Sequence, residues 1–206
     1  MSPRYERNKI KQGYTYVIGC DEVGKGSLAG PVVAASVIMK LEAWNMKHKI
    51  KDSKLLSAKR REELDGLIKN RALAWAIEKV NHTIIDKINI HQATLLAMRK
   101  SLEKLLAVVS GKQQKVFVFV DGQFKIPGCQ YEQEPVVDGD NKVLSVAAAS
   151  IIAKVYRDRL MTKLHKKYPI YNFAQHKGYG TLYHRQMIIK HGLSPVHRLS
   201  FCNHLI

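Results

Sequence analysis

The stretch YTYVIGCDEVGKGSLAGPVVAASVIM, residues 14–39, contains the patterns that predict how the sheet of this chain begins. Residues 14–20 form a short segment rich in β-forming side chains, which predicts a strand. Residues 31–39 are an almost continuous apolar run with β-branched side chains, typical of a strand buried in a sheet. The connecting segment, DEVGKGSLAG, has the length of a hairpin-like connection. The stretch therefore predicts two neighbouring strands.

Strand and helix patterns alternate along the rest of the chain. Ser57 can cap a helix that runs to about residue 70, and residues 72–80 predict a third strand. Further strands are predicted over 115–120 and 134–137, and helices over 89–109, 141–167 and 181–191. We place Arg157 on the polar face of the helix over 141–167. This order predicts an α/β fold with a mixed five-stranded sheet flanked by helices.

The sequence contains no internal repeat and no low-complexity linker. Its length of 206 residues suits one domain with a substantial core, so we predict a single domain over residues 1–206. Residues 1–13 are polar and basic, and we expect them to form a flexible tail.

The composition favours an intracellular protein with a polyanionic partner. Lys and Arg number 34 against 17 Asp and Glu, which gives a formal net charge of +17. A charge of this size favours nucleic acid as the partner over a merely soluble basic surface. The three widely spaced cysteines suggest neither disulfides nor a metal site, and are typical of a reducing compartment. With no signal-peptide pattern and no membrane-length apolar run, we expect a cytoplasmic protein with no membrane association.

Acidic residues stand at the ends of three predicted strands. Asp21 and Glu22 end the first strand, Asp121 ends the fourth, and Asp138 or Asp140 follows the fifth. Strand ends in α/β sheets commonly meet at one crevice, where carboxylates repel one another unless a cation neutralises them. Each acid alone could be an ordinary turn residue, since Asp beside Gly is a common turn pair. Together they favour a Mg²⁺ or Mn²⁺ site.

The residues around the first acid pair predict metal-assisted phosphodiester chemistry. Adjacent strand residues point to opposite faces, so Asp21 and Glu22 can share a metal only if the strand breaks near Gly24. Two ions roughly 3.5–4 Å apart would activate water and stabilise the leaving oxygen. The Gly24-Lys25-Gly26 turn offers backbone N–H groups and one cation to a phosphate.

Several long motifs make the chain resemble the type 2 ribonucleases H, the bacterial ribonuclease HII group. In order, they are GCDEVGKGSLAGPVVAASVI, DSK at 52–54, NIHQATLLAM at 89–98, FVDG at 119–122, GDNKVLSVAAASIIAKVYRDRLM at 139–161, YPIYNFAQHKGYGT at 168–181 and SPVHRLSF at 194–201. The resemblance implies an RNase H-like fold and endonucleolytic cleavage of the RNA strand of RNA–DNA hybrids. It also implies cutting 5′ of single ribonucleotides embedded in duplex DNA, leaving a 3′-hydroxyl and a 5′-phosphate.

The same resemblance implies the catalytic set. The family's catalytic acids fall on Asp21, Glu22, Asp121 and Asp140. The first three would be the main ligands of Mg²⁺ or Mn²⁺, and Asp140 would complete the site. Asp138 occupies a place where many relatives carry lysine or a small residue, and we interpret it as a surface acid.

Substrate-binding residues can be carried over in the same way. The family's Gly-Arg-Gly element becomes Gly24-Lys25-Gly26, whose backbone would lie near the ribose 2′-hydroxyl, the group that distinguishes RNA from DNA. Tyr179 resembles the tyrosine that stacks on the deoxyribose after the ribonucleotide, although it could be a half-buried loop residue. The candidates for phosphate contacts, each of which could instead be a solvated surface charge, are Lys54, Lys154, Lys177 and Arg198.

Two departures from the family pattern bear on specificity. Lys25 keeps the positive charge of the usual arginine but lacks its bidentate fork. Leu55 stands where relatives often carry lysine or glutamine. Both changes predict weaker discrimination of the RNA–DNA junction, with cleavage of long hybrids retained. His176 and His197 could assist proton transfer, but a structural role suits them better.

Two other functions remain open at this point. One is another RNase H-like nuclease, such as a ribonuclease HIII relative or a resolvase; a ribonuclease HIII would normally carry an extra N-terminal binding domain. The other is a non-catalytic nucleic-acid-binding module, which has no reason to keep four acids on a surface for a polyanion. We see no clamp-binding motif at the C-terminus and expect a monomer.

Overall fold

The computed structural model describes residues 3–40, 50, 57–109 and 114–205. Its strands are β1 (Tyr16–Val23), β2 (Val32–Met39), β3 (Ala72–Val80), β4 (Val116–Asp121) and β5 (Glu132–Val136). They form one sheet in the order β3-β2-β1-β4-β5. The β1–β2 and β2–β3 pairs are antiparallel, whereas β1–β4 and β4–β5 are parallel, so the predicted mixed five-stranded sheet is confirmed.

Helices flank this sheet, as predicted. Their bounds are α1 (Arg4–Lys11), α2 (Ala58–Arg71), α3 (His82–Val109), α4 (Gly139–Lys142), α5 (Leu144–Lys167), α6 (Phe173–His176), α7 (Leu182–His191) and α8 (Leu199–Cys202), with a 3₁₀ turn at Pro169–Tyr171. The Ser57 hydroxyl accepts the Arg60 N–H at 3.3 Å at the start of α2, so its predicted role as a cap is confirmed. In the part of the chain that the structure describes, no helix is long and apolar enough to cross a membrane.

The two faces of the sheet are covered by different helices because side chains alternate along each strand. Ile18 and Cys20 of β1 point into a core shared with α3. Val33 and Ala35 of β2 lie in the core on the opposite face, which α5 and α2 complete. The sheet is therefore buried on both faces along its central strands.

Gly19 allows the closest approach between the sheet and α5. A Cβ at this position would lie 2.2 Å from backbone atoms of Ser145 and Val146, so no larger residue fits without moving the strand or the helix. The close contact brings α5 beside the carboxyl end of β1, where Ser150 and Asp21 line one cavity.

In the described part of the segment expected to be a flexible tail, residues 3–13, the chain forms α1. Glu6 is buried at 2% exposure, and its Oε1 accepts the Ser145 N–H at 2.8 Å and the Ser145 hydroxyl at 3.0 Å. Ser145 lies in the first turn of α5, where free N–H groups favour a carboxylate. α1 is therefore attached to the protein by an acid that caps a distant helix, which the local composition does not reveal.

The long helices also differ from their predicted bounds. α3 consists of two helical segments that meet at a kink at Asn89, which has φ 64° and ψ 165°. The second segment agrees with the helix predicted over 89–109, whereas the first, which begins at His82, was not predicted. The Asn89 Oδ1 accepts the Gln92 N–H at 3.1 Å, so Asn89 caps the segment that the sequence pattern detects. The helix predicted over 141–167 divides into α4 and α5 at Val143, and Arg157 is buried in α5 rather than placed on a polar face.

Candidate active site

Three carboxylates meet at the carboxyl ends of two parallel neighbours, β1 and β4. Asp21 and Glu22 lie in β1, and Asp121 is the last residue of β4. One oxygen from each residue lies within 4.8 Å of the other two, and no second group of this kind occurs among the described residues. The structure thus brings together three of the four acids expected at the metal site.

The strand ends where the break was predicted, because β1 stops at Val23 and Gly24 has φ +94°. β1 continues through both residues and still pairs with β2 at Val23. The Asp21 Oδ1 turns back and accepts the Glu22 N–H at 2.6 Å. The side chains converge because the sheet ends here and Asp121 stands on the neighbouring parallel strand.

Burial and mutual repulsion both act on the acids of this cluster. Burial raises the pKa of Asp21 well above its usual range, and the charges of Glu22 and Asp121 raise it further. Burial also raises the pKa of Glu22, although the ammonium of Lys25, which forms a salt bridge with it, acts in the opposite direction. The buried Oε2 of Glu22 has no hydrogen-bond partner within the described ranges. An all-oxygen cluster with an unpartnered buried oxygen fits a hard divalent cation such as Mg²⁺ or Mn²⁺.

Asp140 lies in α4 and lines the same cavity, but its carboxylate is outside the group of three that the described residues form. The preceding Gly139 positions Asp121, because its N–H donates to the Asp121 Oδ1 at 2.7 Å. A Cβ at residue 139 would lie 3.1 Å from that oxygen, so glycine allows this close approach. Asp138 is exposed, in agreement with its interpretation as a surface acid.

The cavity beside the cluster has a volume of about 380 Å³. Besides the four acids, its lining includes Arg61, Ser150, Lys154 and Tyr179. Sequence reasoning missed Arg61 of α2 and Ser150 of α5, since neither residue stands at a strand end or in a glycine turn. The carboxylates that could bind a metal ion and the basic side chains that could bind a phosphate therefore line the same cavity.

The Gly24-Lys25-Gly26 turn lies directly beyond β1 and contacts the cluster through Lys25. Gly24 has φ +94°, and a Cβ there would lie 2.2 Å from the Arg157 Nε, so both conformation and space require glycine. Lys25 and Gly26 are exposed. The turn therefore presents an exposed backbone next to the carboxylates.

Arg198 is not a surface ligand for phosphate, so this prediction is corrected. Its side chain has 0% exposure. Its nitrogens donate to the carbonyl oxygens of Gly24 at 2.8 Å, Lys25 at 2.8 Å and Gly30 at 3.0 Å. The prediction failed because it assumed a solvated cation, whereas these carbonyls hold the guanidinium inside the protein.

Two other predicted substrate-binding residues line the cavity. Tyr179 is 38% exposed, and its ring centre lies 5.7 Å from the guanidinium carbon of Arg157. The Nζ of Lys154 lies 2.7 Å from a carboxylate oxygen of Asp158. Both side chains are therefore placed beside the acids, with Lys154 held by a partner on its own helix.

Of the remaining two candidates for phosphate contacts, Lys177 is among the described residues and Lys54 is not. The Lys177 Nζ donates to the Ala174 carbonyl at 2.6 Å, which holds the ammonium against its own loop. Lys54, like the neighbouring Leu55, lies outside the described residues. The structure thus leaves the predicted role of Lys54 as a prediction.

Two buried histidines, His184 and His197, and the half-buried His176 form a cluster that contacts the Tyr179 carbonyl through the His184 Nδ1. The Nε2 atoms of His184 and His197 are 3.0 Å apart, and His176 stacks on His184 with ring centres 4.4 Å apart. Burial lowers the pKa of both His184 and His197 to about 4. These imidazoles are therefore neutral at ordinary pH, which favours the structural role expected for His197.

Comparison with known proteins gives a consistent result. A family model described as ribonuclease HII matches residues 18–204. A ribonuclease HII from Endomicrobium trichonymphae is 47% identical over 197 residues, which cover 96% of this chain and 90% of that protein.

Solved structures show the same fold. The crystal structure of ribonuclease H2 from Pyrococcus horikoshii OT3 has a TM-score of 0.71 and 25% identity, covering 93% of this chain and 97% of that one. The crystal structure of Bst-RNase HIII in complex with Mn²⁺ has a TM-score of 0.75 at 19% identity, covering 91% of this chain and 67% of that one. The second likeness concerns the fold alone.

Proposed function

The chain belongs to the ribonuclease HII family and is a ribonuclease H hydrolase with an RNase H-like fold, and from this premise we propose the details of its reaction. It is an endonuclease that hydrolyses the RNA strand of RNA–DNA hybrids. It also cuts 5′ of single ribonucleotides embedded in duplex DNA by two-metal-ion catalysis. The products carry a 3′-hydroxyl and a 5′-phosphate.

The observation that carries this proposal is the cluster of Asp21, Glu22 and Asp121 within 4.8 Å of one another. A surface that binds a polyanion has no use for three converging carboxylates unless cations stand between them and the phosphates. A non-catalytic binding module would gain nothing from this arrangement, so the cluster favours hydrolysis over binding alone.

Asp21, Glu22 and Asp121 would hold the cations, and Asp140 would complete the site from α4. Bound Mg²⁺ or Mn²⁺ would supply a Lewis acid and a water of lowered pKa, both of which accelerate phosphodiester hydrolysis. Mn²⁺ is the ion named in the solved structure of Bst-RNase HIII. Both ions take carboxylate oxygens, so we propose that either supports the reaction.

The chain's own residues would bind and orient the substrate. We propose that the exposed backbone of Gly24-Lys25-Gly26 contacts the ribose 2′-hydroxyl and its phosphate, and that the Tyr179 ring stacks on the following deoxyribose. Lys154, together with Lys54, would contact phosphates along the cleaved strand. The net charge of +17 supports tight, salt-sensitive binding to such duplexes.

Cleavage of an end-labelled DNA duplex with one internal ribonucleotide tests the proposal. We expect one cut on the 5′ side of the ribonucleotide, only with Mg²⁺ or Mn²⁺, and none in the matched all-DNA duplex. A fully hybrid RNA–DNA duplex should be cut at many positions in its RNA strand. Undiminished cutting in excess chelator would refute the metal-dependent mechanism.

We further propose that the enzyme acts as a monomer of one domain in the cytoplasm. Gel filtration coupled to light scattering measures the mass of the free protein and of its duplex complex. A mass near twice the 23.4 kDa of the chain for the free protein, together with two chains per duplex in the complex, would contradict the monomer.

A further inference from the structure

Two arginines are buried in the protein without a salt-bridge partner in its described part. Arg157 of α5 and Arg198 both have 0% exposure. Instead of carboxylates, main-chain carbonyl oxygens accept hydrogen bonds from the guanidinium nitrogens of both residues. Burying a cation is costly unless its donors are satisfied, so these bonds account for both positions.

The two guanidiniums hold the same loop from inside. Arg198 donates to the carbonyls of Gly24, Lys25 and Gly30, at 2.8, 2.8 and 3.0 Å. Arg157 donates to Pro31 at 3.0 Å, Ala29 at 3.2 Å and Lys177 at 2.9 Å. Five of these six carbonyls belong to residues 24–31, the loop that connects β1 to β2.

The direction of these carbonyls determines where the neighbouring amides point. In a trans peptide the C=O of one residue and the N–H of the next point to opposite sides. Because the carbonyls of Gly24 and Lys25 face Arg198, the N–H groups of Lys25 and Gly26 face away from it. Both residues are exposed, and nothing lies within 4 Å of where a Cβ of Gly26 would stand. Two successive outward amides form an arrangement that suits an anion.

Arg157 connects this loop to the second recognition element. Arg157 donates a hydrogen bond to the carbonyl of Lys177, which stands two residues before Tyr179. The guanidinium carbon of Arg157 also lies 5.7 Å from the centre of the Tyr179 ring. An antiparallel bridge between Ser27 and Tyr179 joins the same two segments. The glycine turn and the tyrosine are thus held at a defined separation.

We propose that Arg198 is a positioning residue for RNA recognition, which orients the amides of Lys25 and Gly26 toward the ribose and phosphate of the scissile ribonucleotide. Arg157 holds the same turn in register with Tyr179. This inference rests on the proposed function, since it assumes that the turn reads the ribonucleotide. Three donors in a planar fork are needed to hold three carbonyls, and a lysine ammonium cannot replace them in this geometry.

Binding of two duplexes by Arg198→Lys and Arg198→Met tests the proposal. Fluorescence anisotropy with Ca²⁺, under conditions where no cutting occurs, gives the Kd for a single-ribonucleotide duplex and for the matched all-DNA duplex. We expect both variants to lose about five- to tenfold in preference for the ribonucleotide, the factor that corresponds to about one hydrogen bond. Mn²⁺ binding measured by calorimetry should not change, because neither variant alters the carboxylates.

Arg99→Met is the matched control, since Arg99 is an exposed arginine paired with Glu103 on α3, and it should keep the wild-type preference. If Arg198→Lys keeps the wild-type preference for the single-ribonucleotide duplex, a positive charge at residue 198 is sufficient for that preference, and the proposal is overturned. A preference unchanged in Arg198→Met overturns it as well.

A measurement on the wild type keeps the proposal testable if the variants fail to fold. In protein labelled with ¹⁵N-glycine, the Gly26 amide resonance should shift with the single-ribonucleotide duplex and shift less with all-DNA duplex. An unmoved Gly26 amide in a protein that cuts the ribonucleotide duplex overturns the inference. A wild type that cuts neither substrate refutes the proposed function instead.

Discussion

We expect Gly19→Ala to lower both the melting temperature and the cleavage rate, because residue 19 lies where β1 touches α5. A Cβ there would lie 2.2 Å from the Ser145 carbonyl carbon and from the Val146 nitrogen. Both are backbone atoms, so no side chain can rotate out of the way. The strand and the helix must separate instead.

The size of the effect follows from this contact. Ordinary van der Waals contact begins at 3.4 Å, so the two elements must move apart by about 1 Å. Overpacking a well-packed core costs about 1–3 kcal/mol, and the backbone contact favours the upper end. For a chain of this length, about 3 kcal/mol lowers Tm by about 6–12 °C. A shift of about 1 Å between Asp21 and α5, which carries Ser150, can cost about a hundredfold in rate.

Gly66→Ala is the matched control for this substitution. Gly66 lies in α2 on the surface, with nothing within 4 Å of its added Cβ. Alanine is a better helix former than glycine by about 0.5–1 kcal/mol, so Tm should rise by about 1–4 °C with normal cleavage. Circular dichroism melts and cleavage of the single-ribonucleotide duplex measure both effects. A Gly19→Ala protein with the Tm and rate of the wild type would show that β1 and α5 accommodate the added methyl group without moving apart.

Three other substitutions give separate tests. Asp121→Asn should abolish cleavage and weaken Mn²⁺ binding measured by calorimetry, yet preserve or tighten duplex binding because it removes a negative charge that faces a polyanion; weaker duplex binding would contradict this. Lys25→Arg should raise the ratio of single-ribonucleotide to hybrid cleavage, because a guanidinium can bind phosphate bidentately, and an unchanged ratio would remove the idea. His184→Phe should reduce the loss in free energy of unfolding that the wild type shows as the pH falls. Burial lowers the pKa of His184 from 6.5 to about 4, so the unfolded state binds more protons between these values and the wild type loses stability as pH falls through them. Urea unfolding at about pH 7 and about pH 5 measures this loss, and an equal loss in both proteins would count against it.

Local patterns predicted most of the sheet and its flanking helices. The strand over 72–80 has the predicted bounds, because a short apolar run is bounded by a helix end and by Asn81. The start of α3 at His82 was missed, since Asn89 interrupts the helical conformation and looks like a first residue. Asparagine tolerates positive φ and also caps helices. The sequence pattern therefore does not distinguish a kink at Asn89 from the first residue of a helix.

The acids of the site were found in the sequence because they stand at the ends of recognisable strands. Their convergence could be expected from strand order, but the way it is achieved could not. The end of β1 before Gly24 was expected, but the hydrogen bond from the Glu22 N–H to the Asp21 Oδ1 was not. Arg61 and Ser150 reach the same cavity from helices, and no local pattern distinguishes them from other polar residues on those helices.

The amino-acid sequence specifies which chemical groups are present and which short segments become strands and helices, because these segments depend on residues near one another in the chain. Which charges become buried depends on how distant segments pack together. Glu6 reaches the first turn of α5 from 139 residues away, and Arg198 reaches the Gly30 carbonyl from 168 residues away. A charged side chain leaves water only where folding supplies hydrogen-bond partners, and those partners come from distant parts of the chain.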